Sequence, residues 1–302
     1  MPRKKLLITG ASGLLGYALC CQALSAYDVF GVCYKGGIPV EGVTSIRANL
    51  TDKTQLTKCF NQVQPQAVIH VAALSQPNDC EQQPGLSKQI NLQATIEIAR
   101  LCSEQSIPLV FTSSDLVFDG RNPPHAEEDP VSPICVYGKQ KAEAETSIRE
   151  IYPEATICRM PLMLGFAPGT GSGFLGHMVR TLAAKQPLSL FTDEFRTPVD
   201  TESAAAGLVM ALDEKGVLLH LGGPRRLSRF TMGCFVADIL RVNHELLKPI
   251  RVEDLPMPAP RSPDVSLSSE RARILGYVPK ELVGFLEKSV PQITNSPGNN
   301  QG

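Results

Sequence analysis

Short runs of β-branched and aliphatic residues alternate with stretches of helical spacing through the first half of the chain. Lys5 to Thr9 reads as a buried strand that ends in a glycine-rich turn, and Leu14 to Ser25 as the helix that follows. Asp28 to Cys33 and Ser45 to Ala48 read as two further strands, Lys53 to Gln64 as a helix, and Gln66 to Val71 as another apolar strand. Leu86 to Gln105 carries helical spacing, Ile107 to Thr112 a strand, Tyr137 to Tyr152 a helix and Ala155 to Arg159 a strand. Strands separated by helices of this length imply βαβ crossovers, and so a parallel sheet with both faces covered. The pattern predicts an α/β fold: a Rossmann-type doubly wound parallel sheet with a smaller C-terminal substrate-binding region.

After Gly165 the texture changes to short elements with many prolines. Val217 to Leu221 still reads as a buried strand that returns to the sheet. The expected division is a dinucleotide-binding domain over 1–165 with a return strand near 217–221, and a mainly substrate-binding region over 166–288. Arg251 to Asp264 reads as a proline-rich, ordered surface loop. Residues 289–302 are polar and rich in Gly, Asn and Pro, and read as a disordered tail.

Composition narrows the function classes. The 302 residues are 43% hydrophobic and 20% charged, with a formal net charge of -1, which is globular and offers no electrostatic footprint for nucleic acid or a membrane surface. The basic start Arg3-Lys4-Lys5 and the short apolar run after it are too brief for a signal peptide or a membrane span. The nine cysteines are scattered without a CxxC pair. They read as reduced, mostly buried thiols of a cytoplasmic protein, and no metal-ligand spacing is present.

The turn after the first strand is Gly10-Ala11-Ser12-Gly13-Leu14-Leu15-Gly16. Between a strand and a helix, such glycines permit a tight turn, close backbone approach to a pyrophosphate and close helix–sheet packing. The free N–H groups at the helix start attract phosphate charge. The second strand ends in Val32-Cys33-Tyr34-Lys35-Gly36, with no carboxylate to bond ribose hydroxyls. Lys35 there, with Arg3 or Lys4 as a further cation, can neutralise a 2′-phosphate, with Tyr34 beside it, so NADP(H) is favoured and NAD(H) is the alternative. In Asn49-Leu50-Thr51-Asp52, Asp52 can accept from an adenine amino group with Leu50 against the ring, or cap the next helix.

Tyr137 and Lys141 stand four residues apart and share one face of a helix. A phenol is a poor acid–base catalyst at neutral pH, and a neighbouring ammonium favours its ionised form. Upstream, Phe111-Thr112-Ser113-Ser114-Asp115 ends a predicted strand, where parallel sheets carry their catalytic groups. Ser114 is the first choice for a hydroxyl that bonds the reacting oxygen, and Ser113 the second. His70 and His220 lie in apolar strands and read as core residues.

Together these segments resemble the extended short-chain dehydrogenases/reductases, and within them the dTDP-4-dehydrorhamnose reductase-like group. The resemblance runs through Thr9 to Gly16, Val68-Ile69-His70-Val71-Ala72-Ala73, Ile90-Asn91-Leu92, Ser113 to Gly120, Tyr137 to Glu143, Arg159-Met160-Pro161, Arg196-Thr197-Pro198-Val199-Asp200 and Leu219 to Gly223. It implies that Ser114, Tyr137 and Lys141 are catalytic and that Asn91 holds the lysine through water. Ala72, Ala73 and Thr112 would line the cofactor, and Ser75 and Arg196 would meet the substrate, Arg196 through a diphosphate. The family reduces a keto group on a nucleotide-linked sugar, and its members are often homodimers.

Two positions depart from the rhamnose-forming pattern: Leu116 stands where those enzymes carry a tyrosine, and Met160-Pro161-Leu162 lacks an aromatic. The Arg-x-Pro form is similar to the regulatory β subunit of methionine adenosyltransferase, which binds NADP and works through a partner. A cofactor-binding regulatory subunit and a sugar-nucleotide epimerase are the alternatives to a reductase.

Overall fold

The computed structural model describes residues 3–168 and 173–295. Apolar runs buried on both faces build a central sheet. Its first half comprises β1 (Lys4–Thr9), α1 (Leu14–Ala23), β2 (Tyr27–Cys33), β3 (Thr44–Arg47), α2 (Lys53–Val63), β4 (Ala67–His70), α3 (Pro77–Gln82), α4 (Pro84–Lys88), α5 (Ala94–Glu104), β5 (Leu109–Ser114), α6 (Val136–Ile151) and β6 (Thr156–Met160). Then come β7 (Met163–Leu164), α7 (Gly173–Ala183), β8 (Leu188–Phe191), β9 (Phe195–Arg196), β10 (Val199–Asp200), α8 (Thr201–Met210), β11 (Leu218–His220), β12 (Leu227–Ser228), α9 (Arg229–Leu240), β13 (Leu247–Ile250), α10 (Glu270–Ile274) and α11 (Leu282–Asn295).

The seven-stranded sheet has the order β11-β6-β5-β4-β1-β2-β3, and every pairing in it is parallel. The chain winds outward from β1 on one side and from β4 on the other, so the order reverses between these two strands. A crevice at that switch point, past the carboxyl ends of the strands, is where such sheets bind ligands. The returning strand at Leu218–His220 pairs with β6 and completes one edge. Two apolar layers flank the sheet. One packs α1 and α8 through Leu15, Leu19, Ala204 and Leu208; the other packs α2, α5 and α6 through Phe60, Ile98 and Ile148.

Three expectations from the sequence need correction. The long helix over Leu86 to Gln105 is α4 and α5 joined by a π turn at Gln89–Gln93, a local widening that often marks a functional position. Strand β5 runs on to Ser114, so both serines end the strand rather than follow it. The stretch from Ser289, expected to be a tail, is helical as far as Asn295, because α11 continues there with Val290 and Ile293 buried. Residues 296–302 lie outside the described residues. Helices α7, α9 and α11 enclose a separate apolar core containing Leu175, Met178, Met232, Val236, Phe285 and Leu286. It supports the small strand pairs β7–β10, β8–β13 and β9–β12. Among the described residues, no helix is long and apolar enough to cross a membrane.

Candidate active site

The glycine turn is shaped by close approach. A Cβ on Gly16 would lie 2.1 Å from the Gly10 carbonyl oxygen and 2.6 Å from the Ala11 Cα, while Gly10 has a φ of +67° and rests against the Ala72 backbone. No side chain caps α1 at Gly13, so the N–H groups of Leu14, Leu15 and Gly16 at its first turn point toward the crevice with Ser12 and Gly13 beside them. Ala72 and Ala73, half-buried, form the opposite wall after β4, and Ser75 is exposed beyond them.

Past β2 and β3 a cleft of about 220 Å³ is lined by Tyr34, Lys35, Arg47, Ala48, Asn49 and Gln55. Arg47 was missed in the sequence; the signal was a cation closing a strand whose neighbour ends at Cys33, two residues before Lys35. The Lys35 ammonium sits 5.5 Å from the Tyr34 ring centre. Asp52 serves as a helix cap. Its Oδ1 accepts from the N–H groups of Thr54 (2.9 Å) and Gln55 (3.1 Å), and its Oδ2 accepts from the Gln55 amide (2.8 Å), so it caps α2. Asn49 lines that cleft, and its Oδ1 accepts from the Thr51 N–H and hydroxyl. Leu50 is half-buried against the core beneath them.

Gly138 brings the candidate side chains together. A Cβ there would lie 2.0 Å from the Leu116 carbonyl oxygen, so only glycine lets the start of α6 press against the loop that leaves β5. Tyr137 in the first turn then packs with Leu116, Cys80, Cys135 and Ala259, and Ser114 lies at its hydroxyl. The Ser114 hydroxyl accepts from the Leu116 N–H (3.1 Å) and donates weakly to Asp115 (3.2 Å). Ser113 is committed elsewhere: its hydroxyl donates to Glu145 at 2.5 Å, and Glu145 holds Arg159 at 2.8 Å. This favours Ser114 over Ser113. Thr112 points along the sheet and donates to the His70 carbonyl (3.1 Å), so its side chain is spent on the sheet rather than turned to the crevice.

One turn along α6, Lys141 is buried, with Nζ 4.4 Å from the Phe111 ring centre and 6.0 Å from that of Tyr137. The sequence reading that the ammonium lowers the phenol's pKa does not hold for these groups. Burial raises Tyr137 above the usual phenol range, and nearby Asp115 adds to the rise; Ser114 pulls the other way. Burial also pushes Lys141 down to about 7. Both charged forms lose water in the same apolar wall, and desolvation is the largest influence on each.

Asn91 occupies the π turn. Its Oδ1 accepts from the Leu74 N–H (2.8 Å), and its Nδ2 donates to the Leu74 carbonyl (3.1 Å) and to Gln140 (2.9 Å). Gln140, unnoticed in the sequence, donates in turn to Ser87 (2.8 Å). Asn91 thus ties the loop after β4 to the helix that carries Lys141. His70 is a core residue between the Thr9 and Thr95 hydroxyls, and burial lowers it to about 3.

Arg196 is the clearest correction on the substrate side. It is 3% exposed, and its guanidinium bonds Asp115 at 2.6 Å and Glu194 at 3.0 Å. Burial works against its charge, but the two carboxylates overcome that and raise its pKa. Glu194 also accepts from Arg229 at 3.1 Å. Although burial opposes it, Glu194 is held down at about 2 by Arg229 and Arg196. Arg196 is therefore a strut between β9 and the loop that leaves β5, not a free diphosphate ligand. Among the described residues, no group of His, Cys, Asp and Glu is arranged to hold a metal ion.

A doubly wound sheet with a glycine turn at its switch point and a Ser-Tyr-Lys grouping across from it defines an extended short-chain dehydrogenase/reductase. The sequence model of the family described as "RmlD substrate binding domain" matches residues 4–289, and the chain belongs to that family. It is 28% identical over 259 residues to methionine adenosyltransferase 2 subunit beta of Rattus norvegicus, covering 83% of this chain and 76% of that protein. A protein of Haloferax volcanii, named as a probable low-salt glycan biosynthesis reductase, is 27% identical over 84% of this chain and 86% of its own. Among solved structures, dTDP-4-dehydrorhamnose reductase of Bacillus anthracis in complex with NADP superposes with a TM-score of 0.84 at 20% identity, covering 96% of this chain and 99% of that one.

Proposed function

We propose that this protein is an NADP(H)-dependent reductase of a keto group on a nucleotide-linked sugar. The carrying observation is the meeting of Ser114, Tyr137 and Lys141 across the switch point from an uncapped glycine turn. The cradle fits a dinucleotide: Gly10 and Gly16 leave room that a Cβ would fill, and the first turn of α1 offers N–H groups to a pyrophosphate. Lys35 and Arg47, with no carboxylate in the cleft they line, suit a 2′-phosphate. A bound nicotinamide would supply the hydride. Ser114 would donate to the carbonyl oxygen, and Tyr137, which keeps its proton at neutral pH, would transfer that proton to the same oxygen. Lys141, titrating at about 7, would restore it.

The test is NADPH oxidation by the purified protein over a panel of nucleotide-linked keto sugars, with turnover of at least one expected. A second reading, a regulatory subunit that binds the cofactor without turning it over, is supported by the similarity to the methionine adenosyltransferase subunit. NADPH binding with no oxidation across the panel would establish that reading instead.

Cofactor choice gives a separate prediction. Arg47→Ala is expected to weaken NADPH binding by roughly tenfold, the loss of one modest charge-assisted contact, while NADH affinity stays within about twofold. Fluorescence titration with both cofactors measures the ratio. Equal losses for the two would detach Arg47 from the 2′-phosphate.

A further inference from the structure

Glu145 follows Lys141 at the spacing by which Lys141 follows Tyr137, so the three side chains line one face of α6. Lys141 is 1% exposed and Glu145 4%. The Glu145 carboxylate is fixed from two strands. From the end of β5 the Ser113 hydroxyl donates to its Oε1 at 2.5 Å. From β6 Arg159 donates through Nε to Oε1 at 3.0 Å and through Nη2 to Oε2 at 2.8 Å. Arg159 is itself held, 4.9 Å from the Phe118 ring centre, with Nη1 3.3 Å from Nε2 of His220 on β11. Glu145 therefore joins the strand end that carries Ser114 to the helix turn that follows Lys141.

Burial strips water from an ammonium, and a nearby negative charge offsets the loss. The groups facing Lys141 are Tyr137 and Glu145 on its own helix, His70 at the end of β4, Cys80 on α3 and the Phe111 ring on β5. Tyr137, His70 and Cys80 are uncharged near pH 7. Burial raises the Tyr137 phenol above its usual range, lowers His70 to about 3 and raises the Cys80 thiol to about 11. Glu145, ion-paired with Arg159, is the charged member of the set. Burial draws Lys141 down, and Glu145, ahead of Cys80, pushes it back up. Arg159 draws on the same carboxylate, so Glu145 and Arg159 should act on Lys141 with opposite sign.

We propose that Glu145 is a positioning residue for Lys141: its carboxylate, held by Ser113 and Arg159, keeps the buried ammonium protonated and so sets the pH above which the proton supply to Tyr137 fails. The link to Tyr137 rests on the reductase reading above; the hold on Lys141 does not. The test is carbon-13 NMR of the full chain labelled at the lysine Cε atoms, with the Lys141 resonance identified by its loss in Lys141→Met. The wild-type midpoint is expected at about 7. Glu145→Gln keeps an acceptor for Ser113 but removes the charge, and should lower the midpoint by about one pH unit. Arg159→Met leaves the carboxylate undivided and should raise it by a similar amount. Ser113→Ala, the mildest change, takes one donor from the carboxylate and should raise it by ~0.3 unit.

Shifts of opposite sign are the signature, because a residue that only held the fold together would not produce them. An unmoved midpoint in folded Glu145→Gln or Arg159→Met, or shifts of both in one direction, overturns the proposal. If neither folds, Ser113→Ala decides in the same way. In steady state the alkaline limb of kcat should follow the lysine, while the NADPH Kd stays within about twofold. The NMR shifts without turnover of any keto sugar would sink the reductase reading and leave the hold on Lys141 standing. Turnover whose alkaline limb stays in place in Glu145→Gln would sink this proposal alone.

Discussion

Tyr137→Phe is expected to lower kcat for carbonyl reduction by about 10²–10⁴-fold, the range that a positioned general acid contributes. The substitution removes one oxygen and keeps the ring that packs against Cys80, Leu116, Cys135 and Ala259, so the site should hold its shape. Ser114→Ala would be a poorer probe, because the same hydroxyl caps the turn at Leu116. The wild-type pH profile carries a second signature. Lys141 titrates at about 7, so a rate that needs its proton should decline as pH rises through that value. The sign for stability is the reverse. Between about 7 and 10.5 the unfolded chain holds a proton on this lysine that the folded chain has released, so this group's contribution to stability rises with pH. A falling rate without a falling melting temperature would therefore identify titration rather than unfolding. Wild-type kcat in Tyr137→Phe would remove the phenol from the chemistry.

The parts of the fold that were legible are those fixed by local pattern. The strands from Lys4 to Met160 announce themselves because each is a short apolar run closed by turn residues, and buried parallel strands need no alternation. Tyr137 and Lys141 are legible because helix geometry alone puts them on one face. What stayed hidden depends on distance along the chain. Asp115 and Arg196 are 81 residues apart, and nothing near either one signals the other. Asp52 is chemically suited to two roles, and only the folded chain shows that it caps α2 at the N–H groups of Thr54 and Gln55. Helix α11 contains Pro291 and leads into a polar stretch, which reads as an ending. It forms because Leu282, Phe285, Leu286, Val290 and Ile293 make one apolar stripe covered by α7 and α9, so tertiary burial outweighs the local breaker. The direction of the pKa shift at Tyr137 was misread for a related reason: the motif shows the ammonium but not the apolar wall around both groups.

The largest stability effect is expected at Arg196→Leu. The side chain is 3% exposed, and its removal leaves Asp115 at 2% and Glu194 at 1% exposure with less to balance their charge. Breaking a buried pair from one side costs about 3–5 kcal/mol, because the remaining ion cannot regain its water. Glu194 keeps Arg229, so Asp115 bears most of the loss. Burial already pushes Asp115 above the usual carboxylate range even with Arg196 pulling it down, and without Arg196 it should rise further. A carboxyl whose folded pKa exceeds its unfolded one binds more protons when folded, so the variant should recover stability as pH falls toward the acid side. Urea unfolding of the cofactor-free protein across the neutral-to-acid range measures both the deficit and its shrinkage. If Arg196 were instead a free ligand of the substrate, the variant would unfold like wild type and show only a raised KM. The two pictures thus separate in an experiment that contains no substrate at all.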